Sequence, residues 1–369
     1  MARRIILAAL LIVAALVFTA GINWGLPSRR TDKFLRAGLR VEGLTSRVPQ
    51  VDASRGADVT AAIGPPDQIV AENDTDEKRA QILCRYRLYS YQPDEMITFR
   101  SLSQMKPGKG DLDPRLYQYG GLWIYGIAAI VEVGGHLTWL DITNRDTYIG
   151  DPELFGKLYV AARAYSAVLG LLGVWAVFAI VHRWTKGSTC MAAVAGLCFI
   201  FMPVVVVMAH EAKPHLGGAS LILLAVLAAH HFVETKKSQW AWAAGALCGA
   251  AAGMVLWGVA GWIILPVMAL LVRRRDAAWR GLIAAAGVYA ITNPYVIYHL
   301  LFSPGALWSN LGNTSAMYGV GRPDLAIVNA AQLTIAGAGP IIFAVGLVGG
   351  FCWIRKAPSS LCMLLGSAA

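Results

Sequence analysis

The chain is poor in charge. Of its 369 residues only 15% are Asp, Glu, Lys or Arg, while 56% are hydrophobic and the mean hydropathy is +0.53. Soluble domains carry about 25% charged residues. That shortfall argues against an ordinary soluble enzyme and against a disordered chain. It also removes the usual meaning of a basic balance. Thirty-two Lys and Arg stand against 22 Asp and Glu, a net charge of +10. In a soluble protein that surplus suggests nucleic acid; at this charge density the expected partner is a lipid bilayer. Other signatures are missing too. The six cysteines form no CxxC pair, and most sit in apolar runs, so they read as small buried hydrophobes rather than as a zinc site or disulfide framework. There is no Walker loop, no dinucleotide fingerprint after a strand and no GxSxG.

What is present is a series of long apolar runs. A spanning helix needs about 20 such residues. Residues 5–23 qualify, behind Arg3 and Arg4, and read as an uncleaved anchor rather than a signal peptide. Residues 24–116 are polar and form a large first loop. Apolar segments then follow at 117–138, 158–181, 190–209, 214–233, 240–272, 281–300 and 332–354. The stretch 240–272 is too long for one span and reads as a hairpin turning near Gly253–Gly261. These boundaries divide the chain into an anchor (1–23), a loop domain (24–116) and a polytopic domain (117–369). The chain stops inside an apolar run that starts near Ala357, which fits either a truncated or a degenerate reading frame.

The positive surplus is local. The N-terminus and the short loops 182–189, 234–239, 273–280 and Arg355-Lys356 hold twelve Lys and Arg and two acids, which is the whole surplus. Basic loops resist translocation, so all of these are placed on the cytoplasmic side. The loop 24–116, the turn 210–213 and the loop 301–331 then face outward. Segment 117–138 does not fit this alternation; it holds Glu132, His136 and five glycines, and reads as re-entrant or interfacial.

Three places carry candidate chemistry. In RYRLYSYQPDEMITFRSL (85–102), Asp94 and Glu95 follow Pro93 just before an amphipathic stretch. They fit a helix N-terminus. They also fit a paired carboxylate at the membrane surface, a general base or metal ligand, with Tyr91 among neighbouring tyrosines and arginines suited to a sugar or phosphate. In MAHEAKPHLGG (208–218), His210, Glu211, Lys213 and His215 fall between two apolar runs. This is either a polar turn or a site, with His210 and His215 as candidate metal ligands and Lys213 as a phosphate contact. In TNPYVIYHL (292–300), Pro294 stops or kinks a helix and leaves Asn293 and Tyr295 facing the outer interface. The sequons at Asn73 and Asn313 are common by chance.

Together these places resemble one family. The segments YQPDEMITFRSLSQM and DPRLYQYGGLWIYGIAAI are similar to the first outer loop of GT-C membrane glycosyltransferases. The nearest group is the protein-mannosyltransferase-like set, glycosyltransferase family 39 and its bacterial relatives. LYVAARAYSAVLGLLGVWAVFAIVHRW, FMPVVVVMAHEAKPHLGGASLILL and TNPYVIYHL resemble later parts of the same family, and the likeness covers most of 85–300. It implies an all-α integral membrane protein, a GT-C-type bundle of about 8–10 transmembrane helices with a large extracytoplasmic first loop. It implies a bacterial inner membrane, with the N-terminus cytoplasmic. It also implies transfer of a sugar, with inversion, from a polyprenyl-phosphate carrier to an acceptor hydroxyl on the outer face. Asp94 is then the general base and Glu95 its neighbour. Lys213, with His210 and His215 and a divalent metal if one is used, meets the leaving phosphate, and Arg163, Tyr91, Asn293 and Tyr295 contact substrate. The partners implied are the lipid-linked sugar, the bilayer and an unspecified acceptor, with no nucleic acid. Gln92 stands where relatives often have His, so an inactive paralogue is the main alternative. A lipid or sugar transporter is a lesser one; it calls for an internal repeat, which the two halves do not show.

Overall fold

A computed structural model describes residues 1–31, 76–318 and 323–354. The sequon at Asn73 and the basic pair Arg355-Lys356 lie outside them, as does the apolar run from Ala357, and the side chain of Asn313 is likewise outside the description. Among the described residues there is no β-strand, only two isolated bridges, Lys106 to Asp111 and Tyr119 to Val255.

The helices are α1 (Ala2–Thr19), α2 (Asp76–Leu88), α3 (Glu95–Gln104), α4 (Gly121–His136), α5 (Arg145–Gly150), α6 (Pro152–Trp184), α7 (Thr189–Ile200) and α8 (Pro203–Ala209). They continue with α9 (His215–Thr235), α10 (Ser238–Met254), α11 (Ile264–Val272), α12 (Arg275–Thr292), α13 (Pro294–Phe302), α14 (Pro304–Tyr318), α15 (Pro323–Ala338) and α16 (Pro340–Ile354). The fold is all-α, and its apolar helices make it a polytopic membrane protein. Among the described residues three helices are long and apolar enough to cross a bilayer singly: α1, α6 and α9. Three bent pairs qualify together: α7 with α8 at 61°, α12 with α13 at 91°, and α15 with α16 at 104°. Each second piece resumes on a proline, Pro203, Pro294 or Pro340. Proline suits a first helical turn and cannot continue one.

Two sequence expectations change in detail. The 240–272 stretch does divide: α10 ends at Met254, a short 3₁₀ segment covers Leu256–Ile263, and α11 follows. Segment 117–138 yields a helix of only 16 residues. At 1.5 Å per residue it is roughly 24 Å long, short of the ~30 Å hydrocarbon core. By contrast α6, with 33 residues, extends about 50 Å and exceeds that core.

The chain forms two compact units. The first comprises Met1–Ile22, Ile97–Val133 and the chain from Val160 onward. One of its cores joins Leu10, Ala14 and Phe18 of α1 to Val174 and Phe178 of α6 and to Ala192 and Ile200 of α7. A second core, rich in alanine, gathers α9, α10, α11 and α12 around Ala225, Ala244, Cys248, Ala251 and Ala285. There the backbones come very close. A Cβ added at Gly245 would lie 2.1 Å from the Gly281 carbonyl oxygen, and one at Gly249 would lie 2.3 Å from that of Ala285. Small residues permit this approach, the usual basis of helix association in lipid. The second unit comprises Asn23–Met96 and Gly134–Tyr159. It holds α2, α5 and the start of α6 by polar bonds described below. Cys84 and Cys248 are buried as expected, but Cys190 is exposed. Burial pushes the Cys84 thiol above its ordinary pKa.

Candidate functional site

In the second unit the chain turns between α2 and α3. Asp94 is exposed and immediately precedes α3; Glu95 begins the helix and is fully buried. The expected helix N-terminus is therefore present, and the two carboxylates differ sharply in environment. Glu95 accepts a hydrogen bond from the Ser90 hydroxyl. A buried carboxylate is tolerated only with such donors, and the N-terminal turn adds favourable partial positive charge. Tyr91 is exposed at the same turn, fixed by its backbone amide on the Gly25 carbonyl (2.7 Å) and by an edge contact with Trp24 (centroids 4.9 Å). Gly25 has φ +66°, and a Cβ there would lie 2.7 Å from the Tyr91 Cβ.

In the first unit the polar turn between α8 and α9 contains a buried ion pair. Lys213 Nζ lies 3.2 Å from Glu211 Oε2, and both side chains are mostly covered. The turn is tied down on its backbone. Ser166 Oγ donates to the Glu211 carbonyl (2.7 Å), and Thr98 Oγ1 donates to that of Ala212 (3.4 Å). Trp123 Nε1 in turn donates to Thr98 Oγ1 (3.1 Å). A buried pair is a poor source of stability, because desolvation offsets its Coulomb energy. Its presence between apolar helices points to use rather than to support. Arg163, on α6, is also buried and donates to the Ile22 carbonyl (2.8 Å).

The two histidines of this turn have different neighbours. His210 has Nδ1 2.7 Å from the Val206 carbonyl and Nε2 2.8 Å from the Ala20 carbonyl, so both ring nitrogens face backbone oxygens. His215 Nδ1 accepts from Trp257 Nε1 (3.0 Å), and the His215 ring meets Tyr119 edge-on (5.9 Å). Among the described residues no group of three or more His, Cys, Asp or Glu is placed to hold a metal ion. Spacing within MAHEAKPHLGG does not reveal partners on other segments, such as the Ala20 carbonyl.

Asn293 and Tyr295 do not face the outer interface as expected. Both are buried where α12 breaks into α13. Asn293 Oδ1 accepts from the Gly121 backbone amide (2.7 Å) and from Tyr295 Oη (2.9 Å); its Nδ2 donates to the Tyr289 carbonyl (3.1 Å). Asn293 therefore satisfies orphan groups at the start of α4 and the end of α12. The same junction takes in the end of α10. Gly120 N donates to Met254 O (3.0 Å) and Leu256 N to Gln118 O (3.0 Å), and a Cβ on Gly120 would lie 1.9 Å from the Gly253 carbonyl oxygen.

Asp113 and His299 lie in DPRLYQYGGLWIYGIAAI and TNPYVIYHL, where local pattern gives neither a role. Asp113 Oδ2 lies 2.7 Å from His299 Nε2, and Tyr117 Oη donates to the same oxygen (3.2 Å). Tyr117 also stacks on Tyr295 (5.4 Å). Burial, with Asp113 beside it, pushes the Tyr117 phenol well above its ordinary pKa, so it remains a donor. The only sequence signal was the polar pair DP before an aromatic run and a histidine late in TNPYVIYHL.

A chain of this kind is an all-helical, polytopic membrane protein carrying a buried ion pair and a polar helix junction between its apolar helices. Residues 152–308 match the family described as dolichyl-phosphate-mannose-protein mannosyltransferase. The match supports the GT-C, mannosyltransferase-like resemblance and a membrane glycosyltransferase of that type. It spans Ser166, Glu211, Lys213, His215, Asn293 and Tyr295, and leaves Asp94, Glu95 and Asp113 outside. No curated protein and no solved structure matches the chain.

Proposed function

We propose that the protein transfers a sugar from a polyprenyl-phosphate carrier to an acceptor hydroxyl on the extracytoplasmic face, with inversion at the anomeric carbon. The buried Glu211–Lys213 pair inside the family-matched segment carries this reading, because a held cation at the outer end of two apolar helices suits a leaving phosphate. Asp94 takes the proton of the acceptor hydroxyl as it attacks. Exposure beside α3 suits that task better than the enclosed position of Glu95, which orients the turn. The bond from the anomeric carbon to the phosphate oxygen breaks, and Lys213 meets the released charge. Arg163 and Tyr91 each contact substrate in this reading, while Asn293 and Tyr295 set the frame of the helix junction. The N-terminus and the basic loops are cytoplasmic, which puts Cys190 on the cytoplasmic side.

The test is sugar transfer in membranes supplied with polyprenyl-phosphate sugars. Asp94→Asn is expected to lower turnover about 10²–10⁴-fold, the usual contribution of a general base. Lys213→Met is expected to lower it by about 10²-fold, as for one lost electrostatic contact. Equal transfer by wild type and Asp94→Asn would overturn the base. Absence of transfer from every lipid-linked sugar would favour a paralogue that has lost activity. Maleimide labelling of Cys190 from the outer face alone would reverse the orientation.

A further inference from the structure

Beyond sugar transfer, the first unit contains a second chemical constellation. Asp113, in the segment before α4, His299 on α13 and Ser303 at the end of α13 form a continuous line. His299 Nε2 is 2.7 Å from Asp113 Oδ2, and His299 Nδ1 is 2.5 Å from Ser303 Oγ. The direction of the bonds follows from the carboxylate. An ionised Asp113 only accepts, so Nε2 carries the imidazole proton and Nδ1 presents its lone pair. Ser303 Oγ then donates to Nδ1. That is the arrangement of a nucleophile, a base and a group that orients the base.

Asp113 is itself firmly fixed. Its Oδ1 accepts from the Arg115 backbone amide (2.8 Å), its Oδ2 from Tyr117 Oη (3.2 Å), and Arg115 Nε lies 3.5 Å from Oδ2. The aspartate is mostly buried, whereas His299 and Ser303 are only partly covered, so the reactive end is reachable. Ser303 also directly precedes Pro304, the first residue of α14. The positive end of that helix dipole lies beside Oγ and favours charge developing there. No atom lies within 4 Å of a Cβ placed on Gly305, so the space beside this turn is open. The surroundings select the substrate class: Leu300, Leu301, Phe302 and Trp308 are all large, apolar and exposed.

We propose that Ser303 is a nucleophile for carboxylic esters bearing an aliphatic chain. Ser303 Oγ attacks the ester carbonyl carbon and its proton passes to His299 Nδ1. The carbon–oxygen bond to the alcohol breaks, and His299 returns the proton to the departing alkoxide, leaving an acyl-serine and a free alcohol. Water, deprotonated by His299, then attacks the acyl-serine, releases the carboxylic acid and restores the serine proton. Asp113 acts through His299 as a positioning residue.

The experiment uses the purified full chain in detergent, with an alkyl fluorophosphonate probe and p-nitrophenyl octanoate, and needs no sugar donor, so its outcome is independent of glycosyl transfer. The probe should map to Ser303 by peptide mass spectrometry. Ser303→Ala should abolish labelling, and His299→Gln should lower both labelling and ester turnover about a hundred-fold, as expected for loss of a general base. Asp113→Asn should lower kcat for the ester with KM unchanged, while Ser309→Ala leaves both readouts intact. The thermal melt of each variant controls for folding, and Ser303→Cys, which keeps a nucleophile of similar size, supplies a second check by alkylation at that position. The proposal is overturned if wild type with an intact melt takes no probe, if the probe lands on another serine, or if His299→Gln labels at the wild-type rate.

Discussion

Each of the two units is held together internally by its own means. In the first, backbone meets backbone: Gly245 and Gly249 lie against Gly281 and Ala285, with alanines filling the core around them. In the second, side chains reach across to carbonyls. Arg87 Nη1 donates to Ile149 O (2.6 Å), Tyr159 Oη to Leu88 O (2.9 Å) and Tyr148 Oη to Asp141 O (2.9 Å). Arg29 adds ion pairs to Asp151 and Glu153 at 3.7 Å. The difference follows from the solvent each composition suits. Lipid tails give helices no hydrophobic reason to associate, so close packing must do it. A polar segment has few apolar side chains to bury and fixes its turns through directed bonds instead.

That contrast can be broken in stages. Gly249→Leu should be the most damaging, costing about 3 kcal/mol because an overpacked backbone contact has no flexible partner to yield. Gly287→Leu, where no atom lies within 4 Å of the added Cβ, should leave the melt in detergent unchanged. Equal losses for the two would sink the idea that close approach holds the first unit. Next, Arg87→Ala should cost about 2 kcal/mol, the value of a charge-assisted bond to a buried carbonyl. Faster hydrogen exchange at 145–150 would report it. Tyr159→Phe should cost about 1 kcal/mol, a neutral bond lost, by the same readout. Arg29→Ala should change stability by less than about 0.5 kcal/mol and not at all in high salt, since its partners are exposed. A large effect there would mean that the surface pairs, not the buried bonds, hold the second unit.

Much of this was legible in the sequence, for reasons that also explain the rest. Hydropathy located the apolar helices, and the length of 240–272 called for the break seen after Met254. Pro294 announced a stop. Pro203 and Pro340 lay inside runs read as continuous, because averaging hydropathy conceals one residue that cannot donate a hydrogen bond. The chemistry of MAHEAKPHLGG was correctly placed between helices, yet which of its groups would pair was not written there. Glu211 and Lys213 meet each other, while His210 is taken up by the carbonyls of Val206 and Ala20. Most opaque were links across long stretches of chain. Asn293 bonds to Gly121 over 172 positions, and Asp113 meets His299 over 186. Local pattern carries no record of such partners, and a single sequence offers no covariation to replace it.

The three proline joints have a mechanical consequence. A straight rod meets a thicker or thinner bilayer by tilting as a whole, which carries everything attached to it. A jointed pair has a second degree of freedom. In α12 and α13, bent by 91°, the joint falls at Asn293, the residue that ties the break to Gly121. The change of direction is thus made where one side chain satisfies backbone groups of two helices, so the bend leaves no unpaired amide or carbonyl of Gly121 or Tyr289 in an apolar setting.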